Sequence, residues 1–258
     1  LPEDEPLLPD NSPRPGRVDR NACLASANVR EYVRAIVSDL YRNYPQIDGF
    51  KFDWPEYPLY HFDSLFFDFN PAMVPFATGL GLDLNALAAG TREFMSDLSS
   101  GALRKKRINT DDFDSFLWSL TKAYPVIKEL LALRRAVVTD YARFLRDAVH
   151  EASNGHCELF LQSFPPPLNI ATGFDREKIA PYCKAIGVKF YTMHWPLIES
   201  DFLNALTSRA DVSSELAVRA ISRLLCLSPE ISRSPEEIRY PEPSEAHNVS
   251  SEAIRTKI

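Results

Sequence analysis

The chain has 258 residues, 45% of them hydrophobic and 25% charged, with a net charge of −6. That length suits one large α/β domain or two small ones, and the composition is ordinarily globular rather than disordered or fibrous. The acidic balance, with no Lys/Arg stripe, argues against a nucleic-acid partner. The one basic run, Arg104-Lys105-Lys106-Arg107, reads as a solvated turn or helix end.

No apolar run approaches the ~18 residues of a membrane span, so no membrane partner is expected. The N-terminus, LPEDEPLLPDNSPRPG, lacks the basic start and apolar core of a signal peptide, which favours a cytoplasmic setting. The missing initiator Met and abrupt end suggest a mature form or an excised piece. Cys23, Cys157, Cys183 and Cys226 are widely spaced with no C-x-x-C pair and read as buried free thiols, ahead of metal or disulfide use. Asn248-Val249-Ser250 fits a glycosylation triplet, which matters only in a secreted eukaryotic protein.

Residues 1–20, rich in proline, read as an extended loop ahead of a domain spanning 21–258. Asn28 with Glu31 three residues on marks a helix start. Val29, Tyr32, Val33, Ile36, Val37, Leu40, Tyr41 and Tyr44 then give a core face for a helix over 29–43. Pro45 ends it, and Ile47–Asp53 reads as a strand stopped by Pro55 and Pro58. Residues 60–125 are too long for an ordinary βα loop. With helical patterns near 83–98 and 111–122, they read as a helical insertion. The longest helix covers 126–152, with Leu130, Val137, Val138, Tyr141, Leu145 and Ala148 on its buried stripe and Asn154-Gly155 as its stop. Cys157–Phe164 is a second strand, ended by Pro165-Pro166-Pro167. Asp175 caps a helix over 176–186, which Pro181 kinks or delays and Gly187 closes. Val188–Trp195 is a third strand, ended by Pro196, and helices follow at 199–207 and 213–226. A proline- and glutamate-rich loop covers 228–247, and Ser250–Ile258 begins another helix.

Strands alternating with helices imply a parallel sheet. The pattern predicts a TIM (β/α)₈ barrel, present as an incomplete internal portion with the insertion after its first visible strand. In that fold, site residues sit at the C-terminal ends of strands. The three strand ends carry Asp53-Trp54, Gln162-Ser163-Phe164 and His194-Trp195.

The strand Asp48-Gly49-Phe50-Lys51-Phe52-Asp53 resembles a strand of barrel-type glycoside hydrolases, the α-amylase-like and α-galactosidase-like families and uncharacterised relatives. The preceding CLASANVREYVRAIVSDLYRNYP and the later YTMHWP resemble further barrel segments. The likeness covers about residues 20–60 and 125–200. It implies that Asp53 acts as nucleophile or substrate ligand. The chain departs from these families at the second acid, offering Gln162 where the amylase pattern expects a carboxylate and His194 where the galactosidase pattern does.

Glycoside hydrolysis needs two carboxyl groups with pKa values pushed apart. Asp53 as nucleophile or base and Glu56 as proton donor are the candidate pair. Lys51, Trp54, Tyr57, His61, Gln162, Tyr191, His194 and Trp195 are candidate substrate ligands, the aromatic rings covering the apolar faces of a sugar. The expected partner is an oligo- or polysaccharide, and neither a cofactor nor a metal is expected. One alternative is a non-catalytic carbohydrate-binding barrel. A less favoured one is a metal-dependent hydrolase built on Asp53, Glu56, His61 and His194.

Overall fold

The computed structural model describes residues 2–13, 21–100, 102, 113–189, 194–209 and 213–224, with four single positions beyond them, 242, 244, 245 and 255. Three strands, β1 (Gly49–Asp53), β2 (Glu158–Ser163) and β3 (Ala185–Val188), form one parallel sheet in the order β1-β2-β3. The register sets Asp53 opposite Gln162, and Gln162 opposite Gly187. The C-terminal ends of the strands therefore lie side by side.

The (β/α)₈ barrel expectation is overturned. The described residues hold three strands of four to six residues, far short of the eight that close a barrel. Apart from an isolated antiparallel bridge between Leu7 and Pro13, the other regular elements are α- or 3₁₀-helical. The result is a helix-rich mixed α/β fold. Its 60–125 region adds no strand among the described residues, because Asn70-Pro71 and Pro75 start helical turns and Asp83 caps a long helix.

Helix α1 (Ala27–Asn43) starts earlier than the sequence pattern predicts, because Ser26 is the cap, accepting from Val29 N–H at 3.4 Å. Asp4 in turn takes the Ser26 hydroxyl at 2.5 Å. Helices α2 (Val74–Gly79), α3 (Leu84–Ser99) and α4 (Phe113–Ala123) fill the expected insertion. Helix α5 (Val126–Ser153) follows, ending at Asn154 in the left-handed region with φ 52°. Its apolar stripe packs with Val37 of α1 against Phe50, Leu159 and Leu161, one face of the sheet. Arg30 of α1 pairs with Asp140 of α5 at 2.7 Å.

The third strand lies earlier than expected. Helix α7 (Arg176–Ile179) lasts four residues, a 3₁₀ turn follows at Ala180–Tyr182 around Pro181, and the chain then extends as β3. Gly187 thus sits inside a strand rather than closing a helix. Helix α8 (His194–Arg209) begins where the strand was expected to end. Pro196 is tolerated there because first-turn N–H groups have no intrahelical acceptor. Helices α6 (Leu168–Thr172) and α9 (Ser214–Leu224) complete the order. The loop expected at 228–247 and the helix start at 250–258 lie outside the described residues, save the single positions named above.

Residues 2–13 are packed rather than loose. Leu7 N–H donates to Asp68 Oδ1 at 3.1 Å, Phe69 N–H to Leu7 O at 2.9 Å, and Asn70 Nδ2 to the Glu3 and Glu5 carbonyls at 2.8 and 2.9 Å. Among the described residues, no single helix is long and apolar enough to cross a membrane. Cys23 and Cys157 are buried thiols and Cys183 is half-buried. Cys226 lies outside the described residues.

Candidate functional site

Side chains of a strand alternate between faces. Phe50, Leu159 and Leu161 turn into the helix-covered core. Lys51 and Asp53 turn to the other face and are exposed, with Gln162 half-buried beside them. Lys189 follows β3, two residues after Gly187, and belongs to the same row. A parallel sheet ordinarily buries both faces beneath helices. Here one face carries charge at the C-terminal edge of the strands.

The four polar side chains form a connected row. The Lys189 ammonium forms an ion pair with Asp53 Oδ1. Of the two orientations of the Gln162 amide, the one satisfying both ends has Nε2 donating to Asp53 Oδ1 at 3.0 Å and Oε1 accepting from Lys51 Nζ at 2.9 Å. Gly187 is the β3 neighbour of Gln162, and a Cβ there would meet Gln162 Cγ at 3.4 Å, an ordinary contact. Lys189 is 2% exposed at its side chain while Asp53 is 57% exposed, so the carboxylate is the reachable member of the pair. Burial first, and the Lys51 charge second, push the Lys189 pKa down to about 8.

Trp54 follows Asp53 with φ 55°, a left-handed conformation costly for a residue with a side chain. Its N–H donates to Gln162 O at 3.2 Å, carrying the ladder one step past β1. The indole stacks on Phe164 at 5.2 Å between centroids and carries Lys189 Nζ over its ring at 3.8 Å. Trp54, Phe164, Pro165, Leu168, Lys189, Trp195 and Ile198 line a small apolar cleft beside the polar row, with room for about one water molecule. No family model, no curated protein and no solved structure matches this chain. The site's own chemistry therefore carries the functional argument.

The structure separates the expected ligands into groups. Asp53, Lys51 and Gln162 come together, and Trp54 and Trp195 line the adjoining cleft. Trp195 does so from the first turn of α8 rather than from a strand end. Glu56 is buried at 3% exposure, its Oε1 accepting from Phe164 N–H at 2.6 Å and its Oε2 from the Thr172 hydroxyl. Burial raises its pKa to about 8 against the opposing pull of those hydrogen bonds and of Arg176. Tyr57 is a core residue, its hydroxyl 3.3 Å from Asp68 Oδ2 and 3.7 Å from Met73 Sδ. His61 Nδ1 meets Asp201 Oδ1 at 2.9 Å, at the contact of the 62–66 turn with α8. Tyr191 and the side chain of His194 lie outside the described residues.

Among the described residues, no three His, Cys, Asp or Glu side chains converge as a metal would require. Sequence reasoning missed Lys189 altogether. Its signal was a single cation inside the apolar run Ile186–Tyr191, where a lone charge needs a partner on one face.

Proposed function

We propose that the C-terminal edge of the sheet is a carbohydrate site, with Asp53 as its accessible carboxylate. The observation that carries this reading is the row Lys51–Gln162–Asp53–Lys189 set beside the aromatic cleft. Such a row offers ammonium and amide donors with carboxylate and carbonyl acceptors. Those are the groups that bind vicinal hydroxyls. Trp54 contributes as a cleft wall, since Phe164 and Lys189 already pack on it.

A second reading, glycoside hydrolysis, is favoured by one specific feature. Glu56, three residues from Asp53, holds its proton near neutrality, as the acid partner of such a reaction must. Its two oxygens already serve Phe164 and Thr172. Catalysis would need Glu56 to leave at least one of them.

One experiment tests both readings. Wild type and Asp53→Asn are titrated with oligosaccharides and assayed on aryl glycosides. Binding without cleavage by the wild type, weakened about tenfold or more by Asp53→Asn, supports the binding site. Cleavage lost by several orders of magnitude in the variant supports the enzyme. Absence of both binding and cleavage overturns the carbohydrate reading.

A further inference from the structure

Among the described residues, the sheet is open along β1. Asp48 O accepts from Glu158 N–H and Trp54 N–H donates to Gln162 O, so Asp48, Phe50, Phe52 and Trp54 turn their backbone groups to β2. Gly49, Lys51 and Asp53 turn theirs outward, where no described residue meets them. Helix α1 lies on the same side of the molecule. Arg30 and Arg34 tie it to one flank of α5, at Asp140 and Glu151. On the other flank of α5, Arg135 and Arg146 meet Asp175 and Tyr182, which lead into β3. The helices therefore follow the strands, with α1 on the β1 side. At 3.6 residues per turn, Leu40 and Ile36 lie on the flank of Val37 opposite to Arg34, facing past the open strand. Both are exposed, as are Tyr32 and Tyr44. An unpaired strand edge and an uncovered apolar flank thus adjoin.

We propose that this surface is a two-fold interface between two copies of the chain, with β1 pairing antiparallel to β1 of the copy and α1 lying against its α1. Charge selects the register. With the axis at Phe52, Lys51 stands opposite Asp53 of the copy, and Asp53 opposite its Lys51. These are outward-turned residues, so each pair exchanges both backbone hydrogen bonds. Their exposed side chains share one face of the sheet, where opposite charges across the strands stabilise the pairing. Moving the axis to Lys51, Phe50 or Asp53 puts Lys51 opposite itself, Gly49 or Pro55. Within each chain Asp53 keeps its ion pair with Lys189, and Glu158, diagonal to Lys51 across β1 and β2, keeps Lys184 at 3.5 Å. On the helix-covered face, the half-buried Phe52 meets Phe52 of the copy. Above it the two α1 helices run antiparallel and cover each other's Ile36 and Leu40. A lysine on an edge strand ordinarily discourages pairing, and the acid two residues on removes that obstacle. Trp54, with φ 55°, and Pro55 stop the pairing after Asp53, so the helices supply most of the apolar area a stable dimer needs. This inference does not depend on the carbohydrate reading.

The test is sedimentation equilibrium of the whole chain from micromolar to submillimolar concentration, read with amide hydrogen exchange. The expected wild-type result is a reversible monomer–dimer equilibrium. The Lys51 and Asp53 amides gain protection as concentration rises, while those of Phe50 and Phe52, bonded to β2, are protected throughout. Lys51→Glu sets like charges opposite each other and raises the dissociation constant about tenfold or more, a loss that about 0.5 M salt partly recovers. Lys51→Pro removes an outward N–H and leaves the β1–β2 ladder its donors, with a loss at least as large. A monomer at every concentration overturns the inference. So does a dimer that neither variant weakens, or one in which the Lys51 and Asp53 amides stay unprotected, since another surface then joins the copies. Assembly that grows beyond the dimer with concentration overturns the closed two-fold pairing.

Discussion

Glu56 shows how one buried proton can dominate a local structure. Its ordinary pKa of 4.5 rises to about 8 in the folded chain, chiefly by burial. An acid raised in this way contributes its full stability below pH 4.5. The contribution is lost as pH climbs toward 8, at up to about 1.4 kcal/mol per pH unit. Glu56→Gln keeps an acceptor for Phe164 N–H and supplies an amide donor. Thr172 can then turn its hydroxyl to Asn169 O, 3.0 Å away. The expected outcome is a near-neutral change at pH 5 and a flatter stability profile from pH 5 to 8, read from urea midpoints at constant m. Glu56→Ala, by contrast, strands the Phe164 N–H and opens a void, costing about 2–4 kcal/mol.

Among the elements, α5 is held to the rest of the chain by Arg134, which is fully buried. It donates to Phe67 O at 2.6 Å, to Ala171 O at 2.7 Å and to Ser64 O. Burial pushes its pKa down to about 10, still charged at neutral pH. Gly173, with φ 87°, lets the chain after α6 pass so close that a Cβ would stand 2.8 Å from the Arg134 backbone. Arg134→Leu would leave three carbonyls without their donor. We expect a loss of at least about 3 kcal/mol, with hydrogen exchange rising first in the 62–68 turn.

Most helices were legible because long three-and-four patterns and their stops are local. The predicted bounds of α3, α4 and α5 lie within two residues of those observed. The first two strands were legible from apolar runs ended by proline. β3 was not, because the short run AIGV next to the more apolar VKFY gives no local reason to choose. The site was half legible. Asp53 and Gln162 stand at strand ends by simple counting, but their contact with each other and the ion pair of Asp53 with Lys189 depend on register, which no local pattern encodes.

At the scale of the molecule, helix packing leaves one apolar stripe uncovered. The spacing of α1 predicts a core face, yet only Val37 of that set is buried, while Tyr32, Ile36, Leu40 and Tyr44 are exposed, Tyr32 at 68%. One side of α1 meets α5 and the sheet, and the broad apolar pattern wraps past that contact. Aligned exposed apolar groups promote association. Replacing Ile36 and Leu40 together by Lys should lower the apparent mass in concentration-dependent light scattering, with stability changed by no more than about 0.5 kcal/mol per site.

The proton on Glu56 also makes folding an exchange with the solvent. Between pH 4.5 and 8 the unfolded chain has released this proton and the folded chain has kept it, so folding there takes up close to one proton at that carboxyl and unfolding returns it to the buffer. The heat of unfolding then includes the ionisation heat of whichever buffer accepts it.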